Sequence, residues 1–414
     1  MNQFENDLAE RLAALGEQNL LRQLRCVDSA QSPRVQIDGK WFLNFSSNDY
    51  LGLANHPALK EAAIRAVETF GAGSGASRLI CGSLAPFHQL ETAMARLKKT
   101  EAALAFSSGY VAAHGVIAAL LCKDDVIILD KLVHACIVDA AKMSGAKIRV
   151  FSHNDLGDLE DKLKWEAQST DPSKSGTRRT LVVTESIFSM DGDAAPLREI
   201  VGLKKKYEAW LMVDEAHATG VFGENGGGLI EELALSDRIE IQMATLGKAL
   251  GAAGGCICGS RQLVDFLVNR ARPFIFSTAP VPAAAAAATE SIRLVQSAEG
   301  KELRRRLLSN LAYFVESSSS SLAAPKPGEG GSSSSNSGRG ASRPTPIIPI
   351  VLGDEQKALD AAARLREKNI FVPAIRYPSV ARGSARLRIT LTAAHSQEDI
   401  FCLVDALKKL DIGI

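Results

Sequence analysis

The sequence predicts an α/β protein with a mainly parallel, helix-covered sheet and a smaller α+β domain at its C-terminal end. Between about residues 100 and 260, short apolar runs alternate with helical stretches. Most of these runs are too short for buried helices and are bounded by turn or helix signals, which is typical of buried parallel strands. We predict seven such strands: 102–106, 126–129, 147–151, 181–184, 211–213, 239–244 and 256–258.

The flanking regions complete this organisation. Apolar residues at helical spacing predict an amphipathic helix over 1–25, and 283–316 is also predicted to be helical. A stretch rich in Ser and Gly, 317–346, is poor in large apolar residues and predicts a mobile surface loop. After it we expect a strand (347–351), a helix (354–368), a further strand-like run and a final helix (397–409). We therefore expect an N-terminal segment at 1–50, a large domain at 51–285 and a small domain at 286–414.

Composition excludes several classes of function. The 414 residues are 46% hydrophobic and 23% charged, and 48 basic against 47 acidic residues leave a net charge of +1. This balance predicts neither a nucleic-acid-binding nor a membrane-binding surface. No run is long and apolar enough to cross a membrane, and the N-terminus lacks the features of a signal or transit peptide, so we expect a cytoplasmic protein. The seven scattered cysteines, without a CxxC pair, predict free buried thiols and no metal site.

Two neighbouring strand ends carry groups that suit pyridoxal phosphate. Ligands of parallel sheets bind beyond the carboxyl ends of the strands, where Asp214 and Lys248 are expected. A lysine can form a Schiff base with the cofactor, and a carboxylate can keep the pyridine nitrogen protonated. Thr245 can bond the phosphate, while Gly247 and Gly251 leave space for the ring. Taken singly, a surface lysine and a capping aspartate are the more frequent interpretations.

Three further strand ends carry polar groups of the same kind. Gly109 and Tyr110 start a predicted helix, and free N–H groups at a helix start bind anions such as a phosphate. His134 can stack on the pyridine ring, and Ser186 can reach the cofactor. A helix cap, a structural histidine and a turn hydroxyl are the alternatives for these sites. Five strand ends with suitable groups favour one common site.

Two motifs resemble unrelated sites. Residues 214–217 spell Asp-Glu-Ala-His, as in a helicase, but no phosphate loop of the G-x-x-x-x-G-K-[ST] type is present, since Lys248 precedes Ala249. Residues 191–193 resemble part of a calcium loop without the remaining ligand spacing.

The motifs together resemble the α-oxoamine synthases, a family of pyridoxal-phosphate enzymes, over nearly the whole chain. The matching stretches are 44–53, 73–78, His88 with Glu91, 188–193, 213–220, 245–248 and 385–388. The resemblance implies the fold-type I (aspartate-aminotransferase-like) fold and a homodimer with shared active sites.

The resemblance also assigns roles to individual residues. Lys248 would be the Schiff-base lysine, His134 the ring-stacking residue and Asp214 the partner of the pyridine nitrogen. His217 and Ser186 would contact the phenolic oxygen of the cofactor. The phosphate would be held by Gly109, Tyr110, Thr245 and Thr278 of the partner subunit. Substrate-binding roles would fall to Arg22, Arg376, Ser379 and Arg388, with Arg388 on the amino-acid carboxylate.

The string 374–378 resembles the family member that condenses L-alanine with pimeloyl-CoA or a pimeloyl carrier protein and releases CO2. An arginine at 376 suits an acyl chain with a free carboxylate, although a surface ion pair is the alternative. A glycine C-acyltransferase and a catalytically silent partner subunit are the competing hypotheses; the presence of Lys248 opposes the second. Tyr110 and Ser379 stand where the family pattern has Phe and Thr, and the Ser/Gly-rich segment is longer than expected.

Overall fold

The computed structural model describes residues 2–168, 178–319 and 343–412. The chain divides into two compact units. The smaller unit comprises Met1–Ser47, Met190–Gly192 and Arg306–Ile414, and the larger comprises Asn48–Ser189 and Asp193–Arg305. The three-part division expected from the sequence stays a prediction.

In the described residues, the strands are β1 (Arg34–Ile37), β2 (Lys40–Asn44), β3 (Ala102–Phe106), β4 (Val126–Asp130), β5 (Lys147–Phe151), β6 (Thr180–Glu185), β7 (Trp210–Asp214), β8 (Ile241–Thr245), β9 (Gly255–Gly259), β10 (Ile347–Gly353), β11 (Ile370–Phe371), β12 (Ala374–Ile375) and β13 (Ala385–Thr390).

The helices of the same ranges are α1 (Gln3–Glu17), α2 (Pro57–Phe70), α3 (Ala85–Lys98), α4 (Gly109–Leu120), α5 (Ala135–Ser144), α6 (Leu156–Gln168), α7 (Leu197–Lys206), α8 (Leu229–Glu232), α9 (Arg261–Arg270), α10 (Arg272–Ile275), α11 (Pro282–Gln296), α12 (Ala298–Ser319), α13 (Glu355–Glu367) and α14 (Gln397–Lys409). A 3₁₀ turn covers Ser236–Arg238.

A seven-stranded sheet forms the centre of the larger unit, in the order β3-β9-β8-β7-β6-β4-β5. Neighbouring strands are parallel except at β9, which is antiparallel to both β3 and β8. All seven predicted strands are present, so the mainly parallel sheet is confirmed. Strands β3, β4 and β9 are buried along their whole length, and α4, α5 and α9 cover one face with a continuous apolar cluster. Parallel pairing places the carboxyl ends of β4, β6, β7 and β8 along one edge.

The smaller unit contains two three-stranded sheets. One pairs β1 with β2 in antiparallel fashion and β2 with β11 in parallel, while the other has the order β10-β13-β12 and is antiparallel. Helix α13 packs on the second sheet, and the α+β character expected for the C-terminal part is confirmed.

Three predicted boundaries were wrong. Helix α1 ends at Glu17 rather than at residue 25, because Asn19 adopts a left-handed conformation (φ 57°) and the N–H of Leu20 closes back on the Leu15 carbonyl at 2.8 Å. None of the residues of α1 is buried. The segment 283–316 is divided into α11 and α12 at Ser297, whose backbone is extended and whose hydroxyl bonds the Leu294 carbonyl at 2.6 Å.

The third boundary is that of the Ser/Gly-rich segment predicted at 317–346. Helix α12 continues to Ser319, and Thr345 is buried with its hydroxyl donating to the Gly192 carbonyl at 2.6 Å. The remainder of the predicted loop, 320–342, lies outside the described residues.

No helix in the described ranges is both long enough and apolar enough to cross a membrane. All seven cysteines fall within those ranges, and all are free thiols. Cys136, Cys256 and Cys258 are buried, whereas the other four are exposed, so the expectation of buried thiols was wrong for Cys26, Cys81, Cys122 and Cys402.

Candidate active site

Lys248 and His217 meet beyond the carboxyl ends of β7 and β8. Lys248 follows β8 by three residues, and its Nζ lies 2.7 Å from Nε2 of His217. His217 belongs to the turn that follows β7, and its Nδ1 lies 2.6 Å from the hydroxyl of Tyr50. Asp214 ends β7, and its carboxylate accepts the N–H of Ala216 at 2.8 Å, which shapes the turn that carries His217. The structure therefore brings a lysine, an imidazole and a buried carboxylate together at one edge of the sheet.

Asp214 is paired in register with Glu185, the last residue of β6. Burial raises the pKa of Asp214, while the positive charge of Lys248 acts in the opposite direction. Burial, followed by the charge of Asp214, raises the pKa of Glu185 well above its usual range. Two buried carboxylates side by side favour a nearby cation, and a protonated ring nitrogen would supply one.

His134 caps the start of α5 and is held at both its backbone and its ring. Its N–H donates to the Glu185 carboxylate at 2.6 Å. Its Nδ1 accepts the N–H of Cys136 at 3.2 Å and lies 3.0 Å from the Cys136 sulfur. Desolvation lowers the pKa of His134, with Asp214 opposing it. The hydrogen bond from Cys136 to Nδ1 fixes the orientation of the ring, as a stacking role requires.

The start of α4 forms a cradle that only a glycine permits. A Cβ on Gly109 would lie 2.7 Å from the Thr245 hydroxyl and 3.2 Å from Cε of Met243. Ser108 caps the helix by accepting the N–H of Val111 at 3.2 Å. A helix of twelve residues directs its free N–H groups and the positive end of its dipole toward this point, which suits a phosphate.

Tyr110 and Thr278 are both exposed in the single chain. The Tyr110 hydroxyl donates to Asp139 at 2.8 Å, which raises the pKa of Tyr110, and its ring stacks on His114. Thr278 forms an isolated β-bridge with Ser77. The backbone N–H of Tyr110, in the first turn of α4, remains the group predicted to contact a phosphate.

Ser186 is completely buried at the start of the segment after β6. Its N–H donates to the Asp214 carbonyl at 2.8 Å, and its hydroxyl lies 3.4 Å from the same oxygen. These contacts match the turn hydroxyl that the sequence left open as an alternative. Its cofactor contact stays a prediction.

Gly251, expected to leave space for the ring, has a different neighbour. Its φ is +61°, and a Cβ there would lie 2.5 Å from the Ala54 nitrogen. It thereby allows the turn after Lys248 to pack closely on the segment that follows Tyr50.

The structure brings three of the four predicted substrate residues together in the smaller unit. Arg22 donates to the Tyr377 carbonyl at 3.2 Å and lies 3.5 Å from the Ser379 hydroxyl. Arg376 donates to the carbonyls of Asn19 and Leu21, and burial lowers its pKa. Two guanidinium groups beside a hydroxyl suit an anionic ligand.

Arg388, the fourth of these residues, lies on β13 and is buried. Its guanidinium donates to the Thr390 hydroxyl at 3.0 Å on the same strand. The neighbouring Arg386 donates to Asp191 at 2.9 Å and to the Met190 carbonyl at 3.0 Å.

A buried ion pair beneath the site was missed by the sequence analysis. Lys98 Nζ donates to Glu215 at 2.9 Å, to the Thr219 hydroxyl at 2.7 Å and to the Gly227 carbonyl at 2.7 Å. The second oxygen of Glu215 accepts the N–H of Ile230 at 3.0 Å. All three ammonium protons are thus satisfied, and the turn between Asp214 and Thr219 is held from below. Glu215, next to Asp214, was the available signal, but nothing in the sequence pointed to Lys98 as its partner.

Pyridoxal phosphate fits the donor set of the larger unit. The cradle at Gly109 suits its phosphate, buried Asp214 suits its ring nitrogen, and Lys248 provides the amine that links it. Nowhere in 2–168, 178–319 and 343–412 are three or more metal-binding side chains grouped as a metal site.

Comparison with known proteins agrees with this assignment. Residues 40–407 match the model of the family "Aminotransferase class I and II". The chain is 44% identical to 8-amino-7-oxononanoate synthase of Geobacter sulfurreducens, covering 98% of this chain and 99% of the relative. It is 42% identical to the enzyme of the same name from Thermoanaerobacter pseudethanolicus, covering 97% and 96%. The chain therefore belongs to the class I and II aminotransferase family, and within it to the α-oxoamine synthases, which are pyridoxal-phosphate-dependent acyltransferases.

Solved structures show the same fold. Serine palmitoyltransferase from S. paucimobilis, solved with PLP and myriocin bound, superimposes with a TM-score of 0.86 at 27% identity and covers 100% of both chains. An 8-amino-7-oxononanoate synthase from Francisella tularensis superimposes with a TM-score of 0.69 at 28% identity, covering 89% of this chain and 98% of that one. The fold-type I fold and the pyridoxal-phosphate cofactor predicted from the sequence are confirmed.

Proposed function

We propose that this protein is an 8-amino-7-oxononanoate synthase of biotin biosynthesis. It condenses L-alanine with a pimeloyl thioester, of CoA or of a carrier protein, and releases CO2 and the thiol. The observation that carries the proposal is the identity of 42–44% to relatives of that name over nearly the full length of both chains. Serine palmitoyltransferase superimposes with a higher TM-score, but its sequence is only 27% identical. It therefore supports the fold assignment more than the substrate assignment.

The residues of the larger unit supply binding and proton transfer. When bound, pyridoxal phosphate supplies an electron sink that stabilises negative charge on the amino-acid Cα. Lys248 holds the cofactor and removes the α-proton of alanine at its Nζ. Asp214 keeps the ring nitrogen protonated, and the flat ring of His134 orients the cofactor. Gly109 and Thr245 hold the phosphate.

The remaining cofactor contacts are also part of the proposal. His217 bonds the phenolic oxygen, supported by the Tyr50 contact that fixes its ring. Ser186 is assigned to the same oxygen, and the N–H of Tyr110 to the phosphate, on family resemblance.

Substrate selection is assigned to the arginines of the smaller unit. Arg388 binds the alanine carboxylate, because a buried guanidinium suits a bidentate carboxylate partner. Arg22, Arg376 and Ser379 bind the acyl substrate, and their mutual contacts support a common role. A terminal carboxylate on the acyl chain would give these cations an anion to bind.

A homodimer is proposed from exposed apolar side chains on two adjoining segments. Ser77 and Thr278 bridge these segments, and the Ala279 N–H donates to the Ala76 carbonyl at 2.9 Å. Ile80 is 79% exposed and Phe276 70% exposed beside them. Large exposed apolar groups of this kind mark interaction surfaces, and a second copy would bring its Thr278 to the shared site. Light scattering of the purified protein tests this, and a monomer would overturn it.

The substrate assignment is tested by absorption titration of the holoenzyme with alanine, glycine and serine, followed by pimeloyl-CoA, with free thiol measured. We expect alanine to change the cofactor spectrum at the lowest concentration and pimeloyl-CoA then to release CoA. Preference for glycine with acetyl-CoA would instead establish the glycine C-acyltransferase alternative. Lys248→Ala is the control, because it removes the amine. A release of CoA by this variant equal to that of the native enzyme would refute the role of Lys248.

A further inference from the structure

Tyr50 begins a chain of hydrogen bonds that ends at the amine of Lys248. Its side chain is completely buried, and its hydroxyl lies 2.6 Å from Nδ1 of His217. On the opposite side of the imidazole, Nε2 lies 2.7 Å from Lys248 Nζ. The Tyr50 hydroxyl also lies 3.4 Å from Oδ1 of Asn48. Four side chains from three separate stretches of sequence thus form one continuous path.

The capacity of each atom on this path to donate or accept determines which way the hydrogen bonds can run. Oδ1 of Asn48 can only accept, whereas a tyrosine hydroxyl can both donate and accept. In one arrangement Tyr50 donates to Asn48 and accepts from Nδ1, so Nε2 carries a lone pair facing Lys248. In the other, Tyr50 donates to Nδ1, and Nε2 carries a proton that it can donate. A hydroxyl at this position permits both arrangements of His217.

We infer that Tyr50 is a positioning residue that controls the proton on His217 and, through it, the proton on Lys248. A lysine must lose its ammonium proton before it can attack a carbonyl carbon or remove a proton from carbon. In the first arrangement one proton passes from Nζ to Nε2. The imidazole then carries protons on both nitrogens, and the Tyr50 oxygen accepts the one on Nδ1. The lysine is left as a neutral amine.

The surrounding backbone fixes Tyr50 for this role. The carboxylate of Asp49 accepts the N–H groups of Leu53 at 2.8 Å and Ala54 at 3.0 Å, which folds the segment into a tight turn. The turn after Lys248 packs on that segment at Gly251, where no Cβ fits. The Tyr50 ring and the lysine therefore lie on two segments that are locked together.

The test is the rate at which cofactor-free protein captures pyridoxal phosphate, followed by stopped-flow absorption. Tyr50→Phe keeps the buried ring and removes only the hydroxyl. We expect capture at neutral pH to slow by at least about tenfold, a modest part of the roughly 10²–10⁴-fold effect of positioned proton transfer. The two rates should converge as the pH rises above about 10.4, where a free lysine amine is largely neutral without help. Pyridoxal without its phosphate should show the same ratio, since the phosphate cradle is not involved.

Two comparisons separate this role from a general loss of structure. Tyr207→Phe removes a hydroxyl bonded to Glu160 at 3.0 Å, outside the site, and should capture the cofactor at the native rate. In a His217→Gln background, adding Tyr50→Phe should change the rate less than twofold, because Tyr50 acts through His217. Equal capture by Tyr50→Phe and native protein, or full additivity with His217→Gln, would overturn the inference.

Asn48→Ala provides a second variant should Tyr50→Phe fail to fold. It removes the acceptor that turns the Tyr50 proton away from His217, so capture should slow at neutral pH and recover at high pH. An unchanged rate would also refute the relay. The inference rests on Lys248 holding the cofactor, as in the proposed function. Because capture uses neither substrate, a wrong acyl or amino-acid assignment would leave this test unaffected.

Discussion

His153 makes the stability of the larger unit depend on pH in a direction that can be measured. The residue follows β5, and its Nδ1 lies 2.9 Å from Asp130 while its Nε2 lies 2.8 Å from Asp193. Burial acts to lower its pKa, but the hydrogen bonds and charges of the two carboxylates prevail and raise the pKa of His153 from 6.5 to about 9. The imidazolium thereby ties the end of β4 to the segment after β6.

The contribution of protonated His153 to the unfolding free energy follows from the shift in its pKa. A tenfold change in affinity is worth about 1.4 kcal/mol, so a rise from 6.5 to about 9 gives about 3 kcal/mol. Because the folded state binds this proton more tightly, the contribution is fully present below pH 6.5. It declines as the pH rises and is lost above about pH 9.

The perturbation is His153→Gln, which retains a polar side chain but cannot gain a charge. Urea unfolding at pH 6.5, 7.5, 8.5 and 9.5 can be followed by tryptophan fluorescence, since Trp165 and Trp210 lie in the same unit as His153. We expect the difference in unfolding free energy between native protein and variant to shrink by about 3 kcal/mol across this range.

His56→Gln is the matched control for this experiment. His56 contacts a single, mostly exposed carboxylate, Glu299, at 3.2 Å, and such pairs contribute less than about 1 kcal/mol. The assignment of an imidazolium to His153 would be refuted if the difference in unfolding free energy between native protein and His153→Gln stayed constant with pH or grew as the pH rises.

Two other substitutions test the cradle and the buried ion pair. Gly109→Ala should weaken pyridoxal phosphate binding by about tenfold or more in an absorption titration, because its Cβ would displace the Thr245 hydroxyl, 2.7 Å away. Unchanged affinity would refute the proposed contact between Thr245 and the phosphate. Lys98→Met should lower the unfolding free energy by about 3–5 kcal/mol, since Glu215 is left buried without its cation. Lys301→Met removes a cation whose partner, Glu224, is 83% exposed. It should cost less than about 1 kcal/mol in the same urea titration, and equal losses would contradict the argument.

The sequence predicted the sheet well because buried parallel strands have a strong local signal. Each of the seven runs was found within two residues of its predicted bounds, and the polar groups at their ends could be placed on one edge without knowledge of distances. Helix ends were less predictable. Helix α1 ends where Asn19 takes a left-handed conformation, a choice that apolar periodicity does not encode.

Partners distant in sequence account for most of what was missed at the site. Tyr50 lies 167 residues from His217, and Lys98 lies 117 residues from Glu215. Tyr50 did belong to the stretch 44–53 that resembled the family, but that stretch gave no contact. The structure packs the segment after Tyr50 against the turn at Gly251, and it places the Tyr50 hydroxyl beside His217 and His217 beside Lys248.

Two buried carboxylates of the larger unit make a positive charge at the site favourable. Asp214 and Glu185 lie side by side at the ends of paired strands, an arrangement that burial and like charge both oppose. The opposition is offset by the amine of Lys248 on one side and by the N–H of His134 on the other. A protonated ring nitrogen would relieve the same repulsion, so the pair favours a cofactor that carries one. Removing one carboxylate should therefore weaken cofactor binding more than it lowers the unfolding free energy, whereas Lys98→Met is expected to lower the unfolding free energy.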